Sequence, residues 1–175
     1  MAKWTIDPTH SEILFKVKHL VITNVTGSFN VFEGEAETTA ADFGDAKIRF
    51  SANTDSVDTN QAQRDAHLKS AEFFDAEKFP KLEFVSTSFT KTSGDNYILK
   101  GDITLKGVTK PIELKVEYGG TAVDPYGQTK AGFDVTGSLN RKDFGLTWSA
   151  VTEAGSVVVS DEVKLLATIQ VVKQA

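Results

Sequence analysis

Eight stretches of this chain alternate apolar and polar residues with a period of two. In the clearest stretch the apolar members are Ile112, Leu114, Val116 and Tyr118, with charged residues between them. Successive side chains of a strand point to opposite faces, so each stretch places one face in a core and the other in water. Closing such strands into a barrel removes the exposed edges that would otherwise pair with other chains. The sequence therefore predicts an all-β fold, an eight-stranded antiparallel β-barrel.

The pattern also places the individual elements. We predict strands at 11–20, 25–34, 45–54, 82–91, 96–106, 111–119, 129–139 and 162–173. Short turn sequences such as 93–96 and 106–109 separate several of them and favour an antiparallel meander. One short helix is predicted at 60–69 with Asn60 as its N-cap, and the segment 140–161 is irregular. The 175 residues suit a single domain spanning 1–175.

The inward faces of the predicted strands carry large apolar residues. Candidates to line an apolar cavity are Phe15, Val17, His19, Phe29, Phe50, Phe84, Leu105, Phe133 and Leu139. Val31 falls on the same predicted face. An eight-stranded barrel is about wide enough either to hold one small ligand or to be filled by its own side chains.

Small residues on the inward faces indicate whether the barrel interior is open to a ligand or filled by side chains. Those on the inward faces are Gly27, Gly101, Gly137, Ala46, Ala52 and Ala131. Glycine within a strand indicates a bend or space left empty on the wall. We therefore favour a cavity, and a barrel packed solid with phenylalanine is the alternative.

Composition argues against several classes of function. The chain has no cysteine, which excludes disulfides, thiolate metal sites and a cysteine nucleophile. A net charge of -5 argues against a nucleic-acid partner. No apolar run reaches the length of a membrane span, so stable membrane insertion is not expected. The N-terminus leads into the first strand without a signal-like apolar run, which predicts a cytoplasmic protein, or a periplasmic one if a signal peptide has been removed.

The three arginines are the most informative charged residues. Arg49 lies on an outward face, whereas Arg64 and Arg141 lie in the two irregular segments. A guanidinium group suits a phosphate or carboxylate because its planar fork makes paired hydrogen bonds. Arg64 and Arg141, with His67 and Asp143, are therefore candidates to hold a ligand head group. The alternative is that they bind neighbouring residues and brace the loops.

No catalytic signature is present. The three histidines, His10, His19 and His67, lack the i, i+4 spacing of a helical metal pair, and no Gly-x-Ser-x-Gly motif occurs. We predict no catalytic residue, no metal and no cofactor, although a metal site formed by the three histidines in space is an alternative. An enzyme would require an acid–base cluster at the barrel mouth, formed by Arg64, His67, Arg141 and Asp143.

Several motifs occur in a recognisable order along nearly the whole chain. They are Trp4-x-Ile6-Asp7-x-x-His10-Ser11, Gly27-x-Phe29, Arg64-Asp65-x-His67-Leu68, Phe73-Phe74-Asp75, Phe79-Pro80, Gly101-x-x-Thr104-Leu105-x-Gly107-Val108-Thr109-Lys110-Pro111 and Asn140-Arg141-x-Asp143-Phe144-Gly145-Leu146. In their order and spacing these motifs resemble the YceI-like family.

The resemblance implies a lipocalin-like barrel with a helical insertion, a homodimer in many members, and a polyisoprenoid or other long-chain amphiphile bound inside the barrel. We therefore expect a non-enzymatic protein that binds and sequesters or transports one long-chain lipid, polyisoprenoid or fatty-acid-like. The alternatives are an enzyme with the cluster named above and a stress-related interaction module with a solid barrel.

Overall fold

The computed structural model describes residues 2–19, 22–40, 42–146 and 159–174. Its strands are β1 Ala2–Ile6, β2 Glu12–His19, β3 Thr23–Phe29, β4 Phe32–Thr38, β5 Lys47–Asn53, β6 Val57–Asp58, β7 Lys81–Ser93, β8 Asn96–Leu105, β9 Val108–Val123, β10 Thr129–Asn140 and β11 Glu162–Lys173. The α-helix, α1, covers Ala62–Lys69. Short 3-10 helices cover Pro8–His10, Thr54–Ser56 and Arg141–Phe144.

The sheet closes on itself through the first and last strands. The order β1-β4-β5-β7-β8-β9-β10-β11 forms a ring, because β1 pairs with β4 on one side and with β11 on the other. All these pairings are antiparallel, which confirms the predicted eight-stranded antiparallel barrel. β2 continues the line of β1 along β11, and β3 continues the line of β4, so two wall strands are each broken in the middle.

Because of these breaks, two of the predicted strands differ from the observed ones. The predicted first strand, 11–20, omitted β1, which is separated from β2 by a 3-10 helix whose N-cap Asp7 accepts a hydrogen bond from Thr9 N at 3.0 Å. The predicted strand 25–34 is two strands, β3 and β4, interrupted at residues 30 and 31. Val31 therefore leaves the inward face and is 54 % exposed, so the prediction that it points inward is wrong.

The predicted helix is confirmed, but it begins at Ala62, later than predicted. The N-cap is Gln61, whose side chain accepts a hydrogen bond from Arg64 N at 3.1 Å. Asn60, the predicted cap, has a φ of 67°, which is left-handed, whereas an N-cap residue needs extended backbone. After α1 the chain folds back and buries Phe73 against the barrel core.

The second irregular segment is described only in part. Its start forms the 3-10 helix Arg141–Phe144, and residues 147–158 lie outside the described residues. Within the described ranges, no helix has the length and apolar character needed to cross a membrane.

Candidate functional site

A cavity of about 440 Å³ occupies the interior of the barrel. Its wall consists mainly of apolar side chains on the inward faces of the strands. The predicted lining residues that the structure places on this wall are Phe15, Val17, Phe29, Phe50, Phe84, Leu105, Phe133 and Leu139. His19 ends β2, and its side chain lies outside what the structure describes. The barrel is hollow, so the alternative of a solid core is wrong.

The glycines of the inner wall are covered by side chains of neighbouring strands. A Cβ at Gly101 would lie 2.5 Å from Cζ of Phe84, and one at Gly137 would lie 2.4 Å from Cδ2 of Leu114. Gly27 is covered in the same way by Phe15. The expectation that these glycines leave space empty at the wall is therefore wrong. They allow large side chains of neighbouring strands to lie against the wall at these positions.

Aromatic rings close one end of the cavity. Phe43, in the loop between β4 and β5, is only 4 % exposed and lines the cavity. Its ring centroid lies 5.1 Å from that of Trp4, 5.2 Å from that of Phe133 and 5.9 Å from that of Tyr118. We call Trp4, Phe43, Tyr118 and Phe133 the aromatic floor.

Hydrogen bonds hold the loop that carries Phe43. The Asp45 carboxylate accepts hydrogen bonds from the hydroxyls of Thr38 and Thr39 and from the backbone N–H groups of Thr39 and Ala40. These bonds, led by that of Thr38, hold the pKa of Asp45 well below its usual range. The Tyr97 hydroxyl donates to the carbonyl oxygen of Asp42. Strand alternation does not identify Phe43; the available signal was a single aromatic residue between Asp42 and Gly44 in a loop of small and polar residues.

The other end of the cavity combines α1 with polar side chains. Three of the four head-group candidates, Arg64, His67 and Arg141, line the cavity here. Apolar groups contribute as well: Phe74 packs edge-on against Phe29, with centroids 5.6 Å apart, and Leu68 faces the core. Leu68 and Phe74, at the end of the helix and after it, thus reach the barrel core.

Both arginines at this end brace their own loops. Arg64 donates from Nε to Oγ1 of Thr59 at 2.7 Å and from Nη2 to its carbonyl oxygen at 2.6 Å. Arg141 is 2 % exposed and donates from Nε to the Ser160 carbonyl at 2.9 Å and from Nη1 to the Leu146 carbonyl at 2.7 Å. Burial lowers the pKa of Arg141, and Asp161 opposes that shift. The bracing role weighed in the sequence analysis is thus present for both residues.

His67 and Asp143 are separated. His67 forms a hydrogen bond through Nε2 with Glu72 and lies edge-on to Phe73, with centroids 5.0 Å apart. Asp143 is exposed and lines a different cleft on the outside of the barrel, next to Lys110. The four-residue acid–base cluster is therefore not assembled, because its carboxylate lies elsewhere.

The histidines also differ in location and partners. His10 lies in the first 3-10 helix and contacts Oδ2 of Asp7 at 2.9 Å, whereas His67 lies on α1 beside Glu72. Among the residues that the structure describes, no group of three or more histidine, aspartate or glutamate side chains is arranged to hold a metal ion.

Comparisons with known proteins identify the family and the fold of this chain. A family model described as the YceI-like domain matches residues 4–171. Protein YceI of Salmonella newport is 38 % identical over 175 residues, covering 99 % of this chain and 88 % of that protein. The crystal structure of Burkholderia cenocepacia BcnA superimposes with a TM-score of 0.82 at 19 % identity, covering 94 % of this chain and 98 % of that one. A structure from Saccharophagus degradans described as a polyisoprenoid binding domain has a TM-score of 0.72 at 15 % identity, with 98 % of both chains covered. The chain, with its hollow apolar barrel, belongs to the YceI-like family.

Proposed function

We propose that this protein is a non-enzymatic carrier that holds the tail of one long-chain amphiphilic lipid, a polyisoprenoid or a fatty-acid-like molecule, inside the barrel. The observation that carries the proposal is the cavity of about 440 Å³ with its almost wholly apolar wall. The name of the Saccharophagus degradans domain, which has the same fold, supports the ligand class.

The energetics favour a long tail. Moving each methylene group from water into an apolar site contributes about 0.8 kcal/mol. A tail of roughly ten methylene groups therefore supplies about 8 kcal/mol, which exceeds the lower end but not the upper end of an association cost of about 4–15 kcal/mol, and longer tails are the better ligands. Selectivity for the chemistry of the tail is expected to be loose, because the wall offers contact area and few directional groups.

The head group is proposed to rest at the α1 end. Arg64, His67 and Arg141 place hydrogen-bonding groups on the cavity wall there, whereas the opposite end is aromatic. Nε and Nη2 of Arg64 donate to Thr59, and Nε and Nη1 of Arg141 donate to loop carbonyls. We expect the positive charge of the two guanidinium groups to help hold an anionic head group. Transport of the lipid and the homodimer implied by the family resemblance remain predictions. Light scattering of the purified protein tests whether it is a homodimer.

Two neighbouring positions on β10 give a matched test of where the tail binds. Val135 lines the cavity, whereas Thr136 is exposed on the outer face of the same strand. We expect native mass spectrometry of the wild type to show a co-purifying or added prenyl lipid at one per chain. Val135→Trp should lose it, because the indole fills the cavity, and Thr136→Trp should keep it. Equal retention by the two variants, or a wild type that never binds prenyl or fatty lipids, would rule out the proposal.

A further inference from the structure

The two ends of the cavity differ in kind, which gives a bound amphiphile a direction. The α1 end carries Arg64, His67 and Arg141, and the other end is closed by the aromatic floor. A head group at the first end would leave the end of the tail pointing at Phe43, which is the member of the floor exposed to the cavity together with Phe133.

We propose that Phe43 sets the longest tail that the barrel accepts, by forming the surface against which the end of the tail rests. This inference rests on the proposed function, since it concerns the same cavity. It assigns specificity for tail length to a loop residue that lies at the opposite end from the polar groups.

The conformation of Phe43 makes it a fixed surface. Its φ of 63° is left-handed, which a bulky residue adopts only where its surroundings hold it. Here the backbone is held on both sides, because Phe43 N donates to Ala40 O at 3.2 Å and Ala46 N donates to Phe43 O at 3.0 Å. The ring itself is wedged between Trp4 and Phe133. A surface fixed in this way gives a sharp length limit, whereas a mobile loop would give a gradual one.

The length of the cavity can be read from β10. About eight residues separate Phe133, which touches Phe43, from Arg141. At about 3.4 Å per residue and a tilt of about 40°, this stretch spans about 20 Å along the barrel axis. An extended chain advances about 1.2 Å per bond, so the cavity matches a tail of about 16 carbons.

A series of straight-chain fatty acids of increasing length tests the inference, with displacement of a fluorescent fatty acid as the readout. For the wild type we expect affinity to rise with length to about 16 carbons and then to fall. Phe43→Ala should move the maximum about three to four carbons longer, because the ring no longer occupies the end of the cavity. Ala46→Leu, next to Phe43 on the wall, should move it about one to two carbons shorter. Val85→Ala, on the outer face where Val85 is 52 % exposed, is the control and should leave it unchanged.

The outcomes separate the two proposals. If the wild type binds the series but the maximum stays in place in Phe43→Ala and Ala46→Leu, the role of Phe43 is refuted and the carrier function stands. If Phe43→Ala does not fold, Phe43→Leu replaces it, and Ala46→Leu tests the limit from the other direction. If the wild type binds neither fatty acids nor prenyl lipids, both proposals fail together.

Discussion

The ring of Phe15 lies across Gly27 of the neighbouring strand, where an added Cβ would stand 2.2 Å from Cζ of that ring. The two residues are register partners in β2 and β3, and the ring of Phe29 lies next to that of Phe15, with centroids 5.5 Å apart. The ring therefore occupies the space that a side chain at position 27 would need. This pairing packs the wall of the hollow barrel tightly at this position.

The contact between Phe15 and Gly27 predicts that even an alanine at position 27 lowers the stability of the protein. Gly27→Ala should destabilise the protein by about 1–3 kcal/mol, because the new methyl group forces the Phe15 ring from its place. Gly132→Ala is the matched control, since no atom of the residues that the structure describes lies within 4 Å of a Cβ at that strand position. Urea denaturation of both variants measures the difference, and equal midpoints would show that the ring adjusts freely.

Arg141 should be indispensable to the fold around the α1 end. Arg141→Lys removes the planar fork that serves the Ser160 and Leu146 carbonyls and leaves buried acceptors without partners. We expect a loss of about 2–3 kcal/mol in the free energy of unfolding. Arg49→Lys, at an exposed position, should change it by less than about 0.5 kcal/mol. A loss confined to lipid affinity, with unchanged stability, would contradict the bracing role.

The hydroxyl of Tyr97 should contribute to stability through the loop of Phe43. Tyr97 is 2 % exposed, its ring stacks on Phe89 with centroids 4.6 Å apart, and its hydroxyl donates to Asp42 O. Tyr97→Phe keeps the stack and removes the donor, which should cost about 1–2 kcal/mol by thermal or urea unfolding. Tyr126→Phe, at a site 90 % exposed, should have no measurable effect. Similar results for the two variants would show that the bond does not hold the loop.

The lowered pKa of Asp45 predicts how the stability of the loop that carries Phe43 depends on pH. Because hydrogen bonds lower the pKa of Asp45 in the folded state, the unfolded chain takes up the proton first as the pH falls below about 4. The stabilisation from Asp45 is therefore complete above that pH and is lost as the pH falls toward the folded-state pKa. Asp45→Asn should lower the midpoint of thermal unfolding at pH 7, and the gap to the wild type should narrow in acid. A gap that stays constant down to about pH 2 would contradict this account.

The alternation of side chains made the barrel wall predictable. Leu105 and Leu139 were assigned to the interior because each belongs to a long, uninterrupted run, and a strand fixes the side of every second residue. The same rule failed at Val31, where the break between β3 and β4 changes which side a residue faces. A break of this kind depends on strand pairing between distant segments, which local alternation does not record.

The ends of the barrel were less predictable than its wall. Phe43 reaches the interior from a loop of small and polar residues, and only the folded arrangement shows that Trp4 and Phe133 surround it. At the other end, Arg141 lines the cavity, while Asp143, two residues later in the 3-10 helix, lines a different cleft. Closely spaced residues in an irregular segment can face different sides, so spacing alone could not group them.

Photo-crosslinking with a fatty acid or prenyl lipid that carries a diazirine at the end of its tail tests the central claim most directly. If the tail occupies the barrel, peptide mass spectrometry will locate the label on inward-facing residues near the aromatic floor, such as Phe43 and Ala46, and unlabelled lipid will compete it away. Label on the exposed outer positions Val85 and Val123, or label that competitor does not reduce, would contradict the account.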